Sequence, residues 1–351
     1  MIHQNRNRML RTIRVALHGG LLAGCLSLGT AAYAGITFQF QYGDPAGTGF
    51  LDPIYGTSRQ AALNTAASNF SSMFGSHFGN SATIVLTAKA QNDPYSGTLA
   101  SAGSYFTNPG SAGFNLGEVV RTKLQTGIDL NGSDADGVVN VNFGKNWELD
   151  FNTPPAWGWG WYPGTYDLYG TLYHEFTHTL GFSPVMTQSG ASIFGTKDAR
   201  SWSTFASFIV DQNNNPIIDP NTFALNQGVW DTGSVGNWGG GGSDGLFFNG
   251  TNAVAANGGF LVTLYTADAW EPGSSVSHLD DRMPGIEGTL MSPATYAGPQ
   301  MRDFSAIEVG ILKDLGYVAV VPEPETYAML LAGLVVLGAI TRRRASSITM
   351  G

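Results

Sequence analysis

The stretch Tyr173-His174-Glu175-Phe176-Thr177-His178-Thr179-Leu180-Gly181-Phe182 decides how the rest of the chain is read. Residues four apart on an α-helix share one face, so the imidazoles of His174 and His178 can grip one metal ion from the same side, with Glu175 beside them as a general base. The flanking residues agree with a helix. Asp167 suits an N-cap, whose side chain accepts from the first free amides. Leu168, Leu172, Phe176 and Leu180 form an apolar stripe that anchors the helix to a core. Gly181 falls where a left-handed residue ends a helix. Helix, cap, anchoring face and ligand face all point to H-E-x-x-H as a zinc site.

A catalytic zinc takes three protein ligands and keeps a fourth position for water. Beyond residue 34 only His77 and His278 remain to supply a third imidazole. His77 lies far upstream, in Gly75-Ser76-His77-Phe78-Gly79. His278 lies in Ser277-His278-Leu279-Asp280-Asp281, shortly before Leu290-Met291-Ser292-Pro293. Asp280 and Asp281 are carboxylate alternatives that zinc chemistry also allows.

The run His174, Glu175, His178, Gly181 resembles the H-E-x-x-H-x-x-G motif of the metzincin zinc proteases. Most metzincins place the third histidine three residues after the glycine, where this chain has Pro184. In the leishmanolysin-like branch an insertion precedes the third ligand, and a Leu-Met dipeptide follows it. His278, separated from Gly181 by 96 residues and followed by Leu290-Met291, is similar to that arrangement. The resemblance covers Asp167 to Phe182 and, less closely, Ser274 to Tyr317. It implies Zn2+ held by His174, His178 and His278, a methionine turn at Met291, and an α+β, zincin-like fold. That fold would comprise an N-terminal mixed sheet with the active-site helix (35–182) and a loop-rich C-terminal subdomain (183–320). The chain departs from leishmanolysin in having no cysteine after Cys25, so no pro-segment thiol can hold it latent.

Outside the motif, alternation marks strands at Ile36-Thr37-Phe38-Gln39-Phe40, Thr83 to Thr87 and Val138 to Phe143. Ala62, Ala66, Phe70 and Phe74 predict a helix over Ser58 to Phe74, capped by Thr57 or Ser58. Asp211-Gln212-Asn213-Asn214-Asn215 and Asp134-Ala135-Asp136-Gly137 read as turns rather than calcium loops, since the first lacks the glycine and glutamate that such a loop needs. Thr232 to Gly259, with Gly239 to Gly242 in a row, reads as a surface loop. Ser305-Ala306-Ile307-Glu308 is a capping box opening a helix that ends at Gly316.

The two ends carry targeting features. Arg6, Arg8, Arg11 and Arg14, an apolar run from Val15, and Ala32-Tyr33-Ala34 have the layout of a secretory signal peptide over residues 1–34. Leu22-Ala23-Gly24-Cys25 is similar to a lipobox, a competing processing site. Val321-Pro322-Glu323-Pro324-Glu325, an apolar run from Tyr327 to Ile340 and Arg342 to Arg344 together resemble the PEP-CTERM sorting signal, over 321–344. Fourteen apolar residues are short of the roughly 20 that span a bilayer. The resemblance implies transient membrane anchoring, an exosortase-like processing partner and release at the Gram-negative cell surface. Residues 35–340 hold ten Lys and Arg against 26 acidic residues, a formal charge of −16. Nucleic acid is thereby excluded as a partner, because phosphate binding requires a basic surface.

These readings converge on an exported zinc endopeptidase acting on protein or peptide. The alternative is a non-catalytic, zincin-fold protein of the cell surface or matrix. With 13 tyrosines and no geometry, a second oxyanion donor has no assignment from sequence.

Overall fold

A computed structural model describes residues 35–107, 111–159, 161–192, 200–234, 245–267, 269–320 and 331–337. The expected signal peptide with Cys25, the Gly239 to Gly242 run and most of the sorting segment lie outside them. Among the described residues no helix is long and apolar enough to cross a membrane.

The chain is α+β. β1 (Ile36–Tyr42), α1 (Gly56–His77), β2 (Ala82–Gln91), β3 (Ala100–Ser104), α2 (Val119–Thr126) and β4 (Gly137–Asn142) build a four-stranded sheet in the order β1-β2-β4-β3. β1, β2 and β4 run parallel, and β3 is antiparallel at the edge. Alternation drives one face of β2 and β4 inward: Ile84, Leu86, Ala88, Val139 and Val141 are buried. All three strands anticipated from sequence are present. α1 starts earlier than expected, with Tyr55 at its N-cap. Asp52 Oδ1 accepts from the amides of Ile54 and Tyr55 just ahead of that start, and Ser58 Oγ instead donates to the Tyr55 carbonyl.

β5 (Trp147–Glu148) and β6 (Tyr166–Asp167) lead into α3 (Leu168–Thr179), the helix of the histidine motif. Asp167 caps it as anticipated, accepting from Tyr169 and Gly170 at 3.0 Å. The Arg302 guanidinium grips the same carboxylate at 2.9 Å through two nitrogens. The predicted stripe Leu168, Leu172, Phe176 and Leu180 is buried. Aromatic packing fastens this helix to the sheet and to α1. Phe176 stacks on Phe38 of β1 at a centroid distance of 4.7 Å and meets Phe70 of α1 edge-on at 5.5 Å.

The C-terminal half is loop-rich. β7 (Ile209–Asp211), α4 (Gln227–Ser234), β8 (Leu246–Phe248), α5 (Thr251–Ala256), β9 (Val262–Thr263) and α6 (Ala306–Asp314) include a small antiparallel sheet, β7-β8-β9. One continuous core runs from Ile36 to Tyr317. Thr232 to Gly259 is not the surface loop expected. It holds the end of α4, all of α5 and the fully buried central strand β8. Three residues are too few to show a period of two, and the surrounding glycines hid the strand.

The turn expected after Asp211 is present, and Asp134 to Asp136 form a bend that leads into β4. Asp211 Oδ1 accepts from the amides of Asn213 and Asn215. Asp136 instead pairs with the ammonium of Lys123, 3.0 Å away, which Asp129 also holds at 2.8 Å.

Replacing Phe176 with alanine removes a large buried ring at the centre of this aromatic contact, a class of change that costs about 3–5 kcal/mol. Thermal unfolding of Phe176→Ala is expected to show that loss, whereas His77→Ala, at a half-exposed helix end, should stay within about 0.5 kcal/mol of the parent.

Candidate metal centre

His174 and His178 project from one face of α3, and each ring is oriented by a backbone carbonyl. His174 Nδ1 lies 2.7 Å from the Leu290 carbonyl and His178 Nδ1 2.8 Å from that of Phe182. His278 is held the same way, with Nδ1 2.9 Å from the Ser274 carbonyl. A carbonyl only accepts, so each Nδ1 carries the proton and each Nε2 is left with a bare lone pair. The three Nε2 atoms converge at 3.0, 3.1 and 3.3 Å from one another.

No proton is at hand to bridge them. Protein packed around the rings withholds water from a charged imidazole, and this burial holds His174 down to about 4 and His178 to about 3. His278 is depressed well below the ordinary histidine value, first by burial and then by the other two rings. Three neutral rings aiming lone pairs at one point have no hydrogen-bonded solution. A divalent cation resolves the conflict. Ligand nitrogens about 2.0–2.1 Å from a tetrahedral ion sit roughly 3.3 Å apart, close to the spacings seen here. Among the described residues these three form the one group of histidine, cysteine or carboxylate side chains close enough to share an ion.

The loops that set the rings are themselves fastened. Gly181 follows α3 with φ +96°, and its amide donates to the His178 carbonyl. That left-handed turn, costly for any residue with a Cβ, brings the Phe182 carbonyl back beneath His178. Val276, two residues before His278, also has a positive φ, +64°. Such a conformation costs a β-branched residue about 1–3 kcal/mol and is found where surrounding structure imposes it. Here the Val276 amide is tied to the Tyr265 carbonyl at 2.8 Å, and the His278 carbonyl accepts from the Tyr265 amide at 2.9 Å.

Met291 is fully buried. Its carbonyl accepts from the Leu279 amide, next to His278. Its amide donates to Glu308 Oε1 at 2.7 Å, while Glu308 Oε2 accepts from Ser305 to complete the anticipated capping box. Glu308 thus braces the segment whose Leu290 carbonyl aims His174. Sequence reasoning read Glu308 as a helix cap alone; its second partner is a backbone amide 17 residues away, which leaves no side-chain signature.

Glu175 is buried and lines the same cleft as the three histidines, a space of about 1010 Å³. Burial pushes its carboxyl up to about 8, partly offset by a backbone hydrogen bond with Ala102 of β3. A cation at the histidines would favour the ionised form again. β3 forms one wall of this cleft and was missed in the sequence, because Ala-Ser-Ala-Gly-Ser contains no β-branched or aromatic residue. Its register is informative. The Leu99 carbonyl accepts from Asn142 and the Tyr105 amide donates to Asp136, so odd-numbered residues spend their backbone groups on the neighbouring chain. Ala100, Ala102 and Ser104 therefore turn theirs outward.

The remaining ligand candidates are placed elsewhere. His77 ends α1 with its Nε2 3.8 Å from Asp303, and Asp280 is buried in a two-point pair with Arg282 at 2.7 and 3.1 Å. Neither joins the histidine group, and nor does Asp281.

Comparison with known proteins adds one match: residues 320–344 fit the PEP-CTERM protein-sorting motif, which implies recognition by an exosortase-type enzyme and export to the cell envelope. No curated protein and no solved structure matches the chain.

Metal analysis after dialysis separates the candidates. One equivalent of divalent metal is expected in the parent and in His77→Ala, and a substoichiometric trace in His278→Ala. Glu308→Gln, which puts an amide donor or a weaker acceptor against the Met291 amide, should weaken metal binding about 10–100-fold by loosening the Leu290 carbonyl.

Proposed function

We propose that this chain is an exported zinc-dependent endopeptidase of the metzincin type, nearest in arrangement to the leishmanolysin-like branch. The observation that carries the reading is the convergence of three unprotonated Nε2 atoms beside a buried carboxylate in an open cleft. A purely structural zinc is normally closed by four protein ligands. Among the described residues only three side chains gather, and a general-base glutamate adjoins them.

His174, His178 and His278 would hold the ion. Zinc so bound supplies a Lewis acid for a carbonyl oxygen and a water acidified to about pKa 7. Glu175 accepts the proton of the attacking water at its carboxylate and passes it to the leaving amine. Its buried position raises its basicity, which suits a group that must take a proton and later release it. The bond between Glu175 and Ala102 fixes the carboxylate relative to β3.

An extended peptide can then add to the outward-facing groups of Ala100 and Ser104 and to the Ala102 carbonyl as a further strand, the general route by which sheet edges receive peptides. That pairing would lay a scissile bond alongside Glu175 without demanding particular side chains. No Arg or Lys is among the described residues that line the cleft.

Casein hydrolysis with and without a chelator tests the reading. Glu175→Gln is expected to keep its metal and lose about 10²–10⁴-fold in kcat, the usual worth of a general base. Full activity in that variant, or in chelator-treated protein proven free of metal, would leave a non-catalytic or metal-independent protein as the better description.

A further inference from the structure

Thr153 to Thr165, between β5 and β6, contains Trp157, Trp159, Trp161 and Tyr162 and not one charged side chain. Trp159 and Tyr162 exchange backbone hydrogen bonds of 2.8 Å in both directions, so the backbone holds this turn without help from its side chains. Trp157 has a structural reason to be large, because it packs on Gly298, where a Cβ would meet the indole at 2.3 Å. The other three have none. Trp159 and Tyr162 are 78 % exposed and Trp161 is fully exposed. Single exposed apolar side chains occur elsewhere on the surface, Tyr95 and Phe260 among them, but here three bare rings fall within four residues, and a cluster of that kind marks a contact surface.

A second observation says what covers it. Val320, where the sorting motif begins, donates its amide to the His77 carbonyl at 3.1 Å, and the His77 ring stands 3.8 Å from Asp303. From Asp303 the chain runs back through Arg302, clamped on Asp167, to Gly298 beneath Trp157. Those few residues span at most about 20 Å even when fully extended. Val321 to Thr326, which lead to the apolar run beginning at Tyr327, also reach no further than about 20 Å. A body of this size has a radius of gyration of about 19 Å, so a tether about as long as that radius keeps the surface around Val320 close to the bilayer and lets the aromatic turn reach it.

We propose that Trp159, Trp161 and Tyr162 form a membrane-interface contact that seats the folded body on the zwitterionic surface of the bilayer holding its C-terminal sorting segment. The proposal rests on transient anchoring by that segment. Indole and phenol rings partition to the boundary between headgroups and acyl chains, where an apolar body and a polar tip are both satisfied. A neutral surface is chosen because residues 35–340 carry a formal charge of −16, which an anionic surface would repel. A glycan chain fits less well. Trp159 and Tyr162 line an apolar groove of about 460 Å³, but Trp161 is not part of its wall. A ring that projects past every wall can sink into lipid, yet has nothing opposite it to clasp a sugar. Ala294 and Thr295 line the metal cleft only a few residues before Gly298, so this seating would also bring the cleft mouth close to the bilayer.

The test reconstitutes the full-length chain into phosphatidylcholine vesicles whose acyl chains carry bromine near the headgroups. Tryptophan emission of the parent should be quenched, and the triple variant Trp159→Ser, Trp161→Ser, Tyr162→Ser should lose most of that quenching while both proteins float with the vesicles and hold equal metal. Equal quenching of parent and variant overturns the proposal and leaves anchoring intact. Failure of both proteins to float overturns the anchoring and the proposal together. An emission change with a soluble neutral glucan, without quenching by brominated lipid, makes the turn a glycan platform and also overturns it.

Discussion

Three imidazole lone pairs aimed at one another across 3.0 to 3.3 Å are a configuration that neutral histidines avoid. An unpartnered acceptor costs up to about 1–3 kcal/mol where water cannot reach it, and mutual repulsion adds to that. The usual escape, protonating one ring so that it can donate to its neighbours, is closed by the burial that depresses all three. A shared cation removes the penalty and turns it into binding energy. Much of the surrounding architecture acts to keep the lone pairs aimed in this way.

That aim depends on main-chain atoms more than on side chains. The carbonyls of Leu290, Phe182 and Ser274 set the tautomer and tilt of the three rings. Each carbonyl comes from a segment with its own constraint: Glu308 braces the first, the turn at Gly181 places the second, and the strained Val276 follows shortly after the third. The helix bearing His174 and His178 is fixed at its start by Asp167 and Arg302 and along its length by Phe38, Phe70 and Phe176. Rigid placement of this kind is what a metal site needs, because ligand orientation is set by the partners behind the ligands.

How much of this the sequence disclosed follows from the range of each interaction. The histidine helix was legible in full, cap, stripe, ligands and terminal glycine, because all of its signals fall within 15 residues. The third histidine was reached by elimination and family resemblance, and the structure brings it to the other two. β3 and β8 were not legible: the first is made of small residues and exists through pairing with β4, and the second is three residues long. The start of α1 was misplaced because the helix opens at Gly56 without a side-chain cap, its amide donating to the Asp52 carbonyl, while Ser58 spends its hydroxyl on the Tyr55 carbonyl. The carbonyl partners of the rings were out of reach in principle, since every residue has a carbonyl.

The central claim is that His174, His178 and His278 share one divalent ion through Nε2. X-ray absorption at the metal edge of the zinc-loaded protein tests it most directly. The account predicts one zinc per chain with three imidazole nitrogens at about 2.0–2.1 Å and a light-atom fourth neighbour, and two imidazoles on the zinc that His278→Ala takes up when metal is in excess. A protein that retains no zinc, or zinc whose shell is unchanged by that substitution, would contradict it.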